Sequence, residues 1–300
     1  MKSSLLAAVA AILLLAACVS DGAPAPEPIS RYEGLTCAPF EWAAAEGISD
    51  RAGIMLHATV NGRPTTLQLD TGADANILDG PVAGWGLTGD ERGWSEASLR
   101  VGDIDLGRSP VLGRGNAGDE LSGTLGLAGL HNHIVVINYP AQRFCVAQSA
   151  SAPLLQTADF IDARVTAGKF WIPVTANGAR YENFFFDTGA SIFPLSVDLD
   201  LWRTLTGDDP EHADHVVDVP SWGRTIQLRG SEPIGAVSVG GTSFEEPLVY
   251  YTSSAPTFFA NWRFPFPVHG LVGNAPFFER VVVIDLREGT YRFGVAGPAG

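Results

Sequence analysis

Two short stretches decide the fold of this 300-residue chain: Leu-Gln-Leu-Asp-Thr-Gly-Ala at residues 67–73 and Phe-Phe-Phe-Asp-Thr-Gly-Ala at residues 184–190. In each stretch an apolar run typical of a buried strand ends in Asp-Thr-Gly-Ala. A second apolar run follows each motif, Ile-Leu at 77–78 and Ile-Phe at 192–193. The two motifs therefore indicate that one structural unit occurs twice.

Further landmarks repeat around the motifs in the same order. An apolar run ending in Asn-Gly, a dipeptide typical of hairpin turns, precedes each motif. A glycine after apolar residues and then a run rich in valine and isoleucine follow each motif. The pairs are Asn-Gly at 61–62 and 177–178, Gly126 and Gly273, and the runs 135–139 and 282–286. The repetition predicts two homologous lobes, residues 53–147 and 164–295, joined by a linker at 148–163.

The composition is that of a globular protein rich in strands and turns. Apolar residues make up 46% of the chain and charged residues 17%, which excludes a disordered protein. The 34 glycines and 20 prolines, together with many short alternating runs, favour a mainly β fold. The formal net charge of −14 and the absence of basic runs argue against a nucleic-acid partner.

The N-terminus has the pattern of an export signal. Residues 1–17 combine Lys2 with an apolar run that is too short to span a membrane comfortably. Leu-Ala-Ala-Cys at 15–18 resembles a bacterial lipobox, which implies a signal peptide at 1–17 and a lipid anchor on Cys18; an ordinary signal peptide cut nearby is the alternative. By analogy with lipoprotein sorting, Val19 favours the outer membrane, facing the periplasm. Residues 18–52 are then a tether and N-terminal segment, Pro-rich at its start.

Two cysteines remain when Cys18 is lipidated. Cys37 and Cys145 would lie in an exported protein, where disulfides persist, so they form a candidate bridge. Such a bridge would attach the N-terminal segment to the last strand of the first lobe. Two unpaired buried thiols are the alternative.

The paired motifs, each followed by an apolar-apolar-Gly element, resemble the two halves of the bilobal, pepsin-like aspartic peptidases. Leu-Asp-Thr-Gly-Ala-Asp at 69–74 also resembles the retropepsin type, whose short lobes come from two subunits. The resemblance covers most of the mature chain. It implies a mainly β fold of two aspartic protease β-barrel lobes with an active-site cleft between them.

Two carboxylates at such an interface have a defined chemistry. If the lobes pack about a pseudo-twofold axis, Asp70 and Asp187 meet, cannot both ionise, and share a proton. One can then act as general base on a water molecule while the other protonates the substrate. The resemblance therefore implies an aspartic endopeptidase of the cell envelope that cleaves peptides or proteins, as a monomer and without a cofactor.

Residues beside the aspartates have expected supporting roles. Gly72 and Gly189 would let the backbone turn sharply and bring amides close to the carboxylates. By the family resemblance, Thr71 and Thr188 would form hydrogen bonds across the lobe interface and fix the geometry of the dyad.

The chain departs from the pepsin-like pattern at two places. Ala73 and Ala190 stand where those enzymes usually carry a hydroxyl that bonds the carboxylate. Without those donors, the pKa values of the dyad and the pH optimum should rise towards weak acid or neutrality. The flap that covers substrate usually carries a tyrosine; here residues 86–97 are the candidate flap, with Trp94 as its aromatic residue.

Other readings of the same residues stay open. The chain could be a catalytically inert binding or scaffolding lipoprotein on the aspartic protease fold, because a fold does not fix a function. The duplication disfavours an obligate retropepsin-like dimer. The histidines at 131–133 and 212–215 lack a Cys or Glu partner at a familiar metal spacing, so the sequence predicts no metal site.

Overall fold

The structure is a computed structural model that describes residues 32–114, 122–147, 149–221, 224–245 and 247–297. The predicted signal peptide and Cys18 lie outside these residues. Within the described residues of the first half, the alternating apolar pattern gives strands β1 to β9 and a short helix α1. Their bounds are β1 Leu35–Ala45, β2 Ser49–Val60, β3 Arg63–Leu69, β4 Asn76–Asp79, β5 Trp94–Val101, β6 Ile104–Arg114, β7 Ser122–Leu125, α1 Leu127–Leu130, β8 Ile134–Asn138 and β9 Arg143–Ala147, with a 3₁₀ turn at Val82–Trp85.

The second half repeats this order with additions. Its elements are α2 Pro153–Gln156, β10 Asp159–Asp162, β11 Arg164–Thr166, β12 Lys169–Ala176, β13 Ala179–Phe186, β14 Leu195–Val197, α3 Leu199–Thr206, β15 His215–Ser221, β16 Arg224–Ser231, β17 Val237–Val239, β18 Thr242–Ser243, β19 Val249–Thr252, β20 Gly270–Val272, β21 Val281–Asp285 and β22 Arg292–Ala296, with 3₁₀ turns at Pro210–His212 and Ala275–Phe277. The eight-residue α3 and the hairpin β15–β16 lie in the longer stretch that separates the second motif from Gly273.

Both Asn-Gly dipeptides form the predicted hairpin turns. Asn61 and Gly62 have φ angles of 49° and 79°, and Asn177 and Gly178 have φ angles of 50° and 78°. Two consecutive positive φ angles are typical of the turns that join paired strands, and Asn and Gly adopt them at low cost. These turns set the register of the hairpins β2–β3 and β12–β13, whose second strands lead into the aspartates.

The two halves share one sheet, in the strand order β10-β22-β21-β8-β9-β1. Each half contributes three strands, and the halves meet where β8 runs antiparallel to β21, with Val136 opposite Val283. β1 lies inside the predicted tether and N-terminal segment, and β10 lies inside the predicted linker. Both segments therefore contribute strands to the shared sheet and do more than connect the lobes. The predicted domain bounds stay a prediction.

Each half also builds a lobe around the strand that carries its motif. In the first lobe the shared sheet continues from β1 as β2-β3-β7-β4-β6-β5. In the second lobe a separate sheet has the strand order β15-β16-β19-β14-β20-β13-β12-β17-β18. The motif strand β3 is parallel to β7, just as the motif strand β13 is parallel to β20. The prediction of a mainly β chain with two repeated lobes is confirmed.

The predicted disulfide is also confirmed. Cys37 and Cys145 are bonded to each other and lie opposite one another on the paired strands β1 and β9. The bridge closes a loop with a sequence separation of 108 residues. In the chain-entropy model a loop of that length stabilises the folded state by about 4–5 kcal/mol. The bridge therefore attaches the N-terminal strand to the shared sheet.

The apolar core extends through both lobes, and a second apolar cluster covers one face of the shared sheet. In that cluster Leu154 and Leu155 of α2 pack against Val136 of β8 and Val283 of β21. Among the helices in the described ranges, none has the length and apolar character needed to cross a bilayer.

Candidate active site

The two aspartates are positioned by equivalent strands and backbone hydrogen bonds. Asp70 follows β3, and its backbone amide donates to the carbonyl of Leu125 at 3.0 Å. Asp187 follows β13, and its amide donates to the carbonyl of Val272 at 2.8 Å. Because the neighbouring parallel strands β7 and β20 end in these carbonyls, each carboxyl group is held where its strand pair stops, at the interface of the lobes.

The two motifs approach each other through their glycines. A Cβ atom on Gly72 would lie 2.5 Å from Oδ2 of Asp187, and a Cβ atom on Gly189 would lie 2.6 Å from Cγ of Asp70. Both distances are too short for a real carbon, so each glycine leaves space for the carboxyl group of the opposite lobe. Neither glycine has a left-handed φ angle. The expected approach of an amide to a carboxylate is seen at Gly189, whose amide donates to Asp187. The two carboxyl groups therefore face each other across the interface and are close enough to affect each other's pKa.

Thr71 and Thr188 connect the two motif loops reciprocally. The hydroxyl of Thr71 donates to the carbonyl of Phe186 at 2.8 Å and accepts from the amide of Thr188 at 3.1 Å. The hydroxyl of Thr188 donates to the carbonyl of Leu69 at 2.9 Å and accepts from the amide of Thr71 at 2.9 Å. Both side chains are fully buried. Each hydroxyl thus uses donor and acceptor capacity across the interface, which fixes the relative position of the two motifs.

The carboxyl groups differ in their surroundings. Asp70 is 8% exposed and accepts a hydrogen bond from the amide of Ala73 at 3.0 Å. Asp187 is half-buried and accepts one from the amide of Gly189 at 2.9 Å. Burial raises the pKa of Asp70, and burial together with the charge of Asp70 raises the pKa of Asp187 well above its ordinary value. The rise has the direction expected from Ala73 and Ala190, but burial is its main cause.

Two buried amide side chains that the sequence analysis did not single out secure the motif loops. In the first lobe, Oδ1 of Asn76 accepts from the amide of Gly126 at 3.1 Å. In the second lobe, Nδ2 of Asn274 donates to the carbonyl of Thr188 at 2.9 Å, and its Oδ1 accepts from the Tyr139 hydroxyl at 2.8 Å. Because the two asparagines occupy different places in the repeat, comparison of its halves could not reveal them.

The predicted flap segment forms a compact turn in the first lobe. The carboxylate of Asp90 accepts from the amides of Arg92 and Trp94, both at 2.9 Å. Trp94 begins β5 and lines a cavity of about 840 Å³ on the first lobe, together with Arg108. Neither motif aspartate lines this cavity. The assignment of Trp94 to a flap stays a prediction.

The second lobe carries the hairpin β15–β16 after its motif. One apolar cluster joins this hairpin to the segment after Asp187 and to the β1–β2 turn of the first lobe. The cluster contains Ile48, Ile192, Phe193, Val217, Val219, Ile226, Leu228, Leu248 and Tyr250. This hairpin therefore contacts both lobes, a contact between distant segments that the sequence pattern did not indicate.

The aromatic segment between β19 and β20 packs on the second lobe. Phe259 is buried, and the ring of Trp262 stacks on Phe185 with a centroid separation of 5.3 Å. Phe264 and Phe266 meet Trp171 edge to face. The segment thus covers the sheet next to the motif strand β13.

Potential metal ligands do not assemble in the described parts of the chain. The ring of His133 forms a hydrogen bond with the carbonyl of His131 at 2.9 Å. Within the described ranges, no three His, Cys, Asp or Glu side chains lie close enough together to hold a metal ion.

Comparison with known proteins gives a structural likeness alone. No protein-family model matches the chain, and no curated protein sequence matches it. Among solved structures, the aspartic proteinase from Irpex lacteus is similar, with a TM-score of 0.48 and 10% sequence identity, over 88% of this chain and 98% of that chain. A likeness at this identity and score carries no argument about the reaction, which has to come from the geometry of the two motifs.

Proposed function

We propose that the protein is an aspartic-type endopeptidase that hydrolyses peptide bonds with a water molecule activated between Asp70 and Asp187. The observation that carries the proposal is the meeting of the two carboxyl groups, each against the glycine of the opposite motif. Burial raises both pKa values, and the charge of Asp70 raises that of Asp187 as well, so one proton is shared by the pair at mildly acidic pH.

A pair that shares one proton can divide the work. We assign the proton to Asp187 and the carboxylate to Asp70. Asp70 takes a proton from water as the water oxygen attacks the peptide carbonyl, and Asp187 gives its proton to the carbonyl oxygen. The tetrahedral intermediate then returns a proton to Asp187 as its C–N bond breaks, and Asp70 passes its proton to the leaving nitrogen.

The arrangement also supports a monomeric enzyme. Both motifs belong to one chain, so a second copy is not needed to complete the dyad. We propose an extended peptide or an unfolded protein segment as substrate, because a groove between two lobes exposes backbone along its length. The lipobox-like sequence at residues 15–18 supports a location in the cell envelope, anchored through Cys18 and facing the periplasm.

The test is cleavage of a broad peptide mixture by the full-length chain in mild detergent between pH 3 and pH 8. Asp70→Asn and Asp187→Asn are each expected to lower the rate at least about a thousandfold, because each removes a proton-transfer group. Asp103→Asn, in the exposed turn between β5 and β6, is the matched control and should cleave at the wild-type rate.

Two outcomes would count against the proposal. Cleavage that persists in both motif variants would assign the activity to another site or to a contaminant. A folded wild-type protein that cleaves nothing across the pH range would favour the inert binding lipoprotein.

A further inference from the structure

Lys169 stands out because the chain contains so few lysines. Its lysines are Lys2, in the predicted signal peptide, and Lys169, whereas the other cationic side chains are arginines. Lys169 begins β12, directly after a turn in which Ala167 and Gly168 have left-handed φ angles of 50° and 71°. A lysine presents a compact point charge on a flexible stem, whereas an arginine presents a planar fork of donors.

This turn of the second lobe lies against the motif loop of the first lobe. A Cβ atom on Gly168 would lie 2.5 Å from Cβ of Asp74, so a glycine is needed for the approach. The ammonium group of Lys169 donates a hydrogen bond to the carbonyl oxygen of Gly72, which is two residues after Asp70. Lys169 therefore reaches from one lobe to the motif of the other.

Aromatic rings of the second lobe hold the same ammonium group. Nζ of Lys169 lies 5.8 Å from the ring centroid of Phe185 and 5.7 Å from that of Trp262. Both distances fall in the range of cation–π attraction. Phe185 is two residues before Asp187, so the ammonium group is fixed between the first motif and the strand that carries the second aspartate.

The charge of Lys169 acts on both members of the dyad. It favours the ionised forms of Asp70 and Asp187 and thus opposes the effect of burial on their pKa values. Asp74, across from Gly168, is the other charged residue that the turn meets directly. Arg164, on the neighbouring strand β11, lies instead over Trp171 and Phe266, at 5.7 and 4.6 Å.

We propose that Lys169 is a positioning residue of the dyad, which holds the first motif through Gly72 and keeps one carboxyl group ionised at acidic pH. This inference rests on the proposed peptidase function. Ala73 and Ala190 provide no hydroxyl donors to the carboxylates. The fixed ammonium group of Lys169 stabilises the ionised carboxyl group instead. Without the cation, both carboxyl groups would stay protonated up to a higher pH, and the base would be lost there.

The experiment is the pH–rate profile of kcat and kcat/KM for the full-length protein and its Lys169 variants. Lys169→Met removes the charge and keeps the apolar stem, and it should move the acid limb of the profile upward by about one pH unit. Lys169→Gln keeps a donor for the Gly72 carbonyl without the charge, and it should show the same shift. Lys169→Arg keeps the charge and should restore the wild-type limb. Arg164→Met, which removes the neighbouring cation, should leave the limb in place.

The outcomes separate this inference from the function on which it rests. A wild-type protein without peptidase activity would refute the proposed function itself. If the wild type is active and the acid limbs of Lys169→Met and Lys169→Gln coincide with the wild-type limb, only the role of Lys169 is refuted. A loss of kcat that is equal at every pH would give Lys169 a purely structural role and would also overturn the inference.

Discussion

The two lobes are alike at their motifs and different around them. The backbone amides of Asp70 and Asp187 donate equivalent hydrogen bonds, and Thr71 and Thr188 exchange equivalent hydrogen bonds. Burial raises the pKa of both carboxyl groups, yet Asp70 is buried and Asp187 is half-buried. The comparison teaches that a symmetric motif does not give two carboxyl groups identical surroundings. Because the two groups are coupled, they take up one proton as a pair, so that one can act as acid and the other as base.

The shared sheet shows a second difference between the halves. Val136 of β8 lies opposite Cys145, and its counterpart Val283 of β21 lies opposite Gly294. Cys145 in turn is bridged to Cys37. At the equivalent place in the second half, Gly294 lies opposite Phe160, whose ring carbon would be 2.6 Å from a Cβ atom on that glycine. The strand pair β1–β9 of the first half is therefore joined by a covalent bond, whereas the strand pair β10–β22 of the second half has a ring packed on a glycine.

The largest expected effect concerns the strand pairs β1–β9 and β10–β22. A Cys37→Ser/Cys145→Ser variant should lose about 4 kcal/mol of unfolding free energy, because the unfolded chain regains the entropy of a long loop. Phe160→Ala should lower the unfolding free energy by about 2 kcal/mol, because removal of a half-buried ring leaves a smaller cavity than removal of a fully buried one. Denaturant unfolding of both variants under non-reducing conditions measures the difference. Reduced wild-type protein should match the serine variant, and an equal or larger cost for Phe160→Ala would contradict the comparison.

The next effect concerns the symmetry of the motifs. Gly72→Ala and Gly189→Ala should each lower kcat/KM about a hundredfold, equivalent to about 2.7 kcal/mol, because a methyl group displaces the opposite carboxyl group. The two losses should agree within about tenfold. Gly84→Ala is the control, since a Cβ atom there meets nothing within 4 Å and its φ angle is ordinary. Wild-type activity in either motif variant would show that the carboxyl groups do not meet.

The smallest effect tests the protonation of Asp187 through stability. Its folded-state pKa lies above the ordinary value of 3.8, so between these two values the folded protein binds more protons than the unfolded chain. Stability contributed by this group is therefore present below pH 3.8 and is lost as the pH rises through the folded-state pKa. The free energy of unfolding of Asp187→Asn should exceed that of the wild type by about 1 kcal/mol at pH 7. At pH 3 the two values should be equal.

Asp90 provides a control of the opposite sign. The backbone amides of Trp94 and Arg92 lower the pKa of Asp90, so its contribution is present above the unfolded value and is lost as the pH falls through the folded-state pKa. Asp90→Ala should therefore lose stability at pH 7 and not in strong acid. Denaturant unfolding at both pH values distinguishes the variants, and a gain for Asp187→Asn that is independent of pH would contradict the assignment.

The repeat made much of the fold predictable. The two Asp-Thr-Gly-Ala motifs and the two Asn-Gly turns each occur once per lobe, and local turn chemistry favours the Asn-Gly pairs at their places. The residues that hold the motifs were harder to find. Asn76, Asn274 and Lys169 act through bonds between segments far apart in the chain, and each stands at a place where the repeat has no matching residue.

The sequence by itself determined the duplicated mainly β architecture, the hairpins that lead into the two aspartates, and the cysteine pair, because alternation, turn chemistry and composition act over short distances. Only the tertiary structure decided why Gly72 and Gly189 must be glycines, and how far each carboxyl group is buried. It also placed a single lysine against the motif of the opposite lobe. These features depend on contacts between residues that lie about a hundred positions apart in the sequence, and on the burial that those contacts produce. The local sequence pattern specifies neither of them.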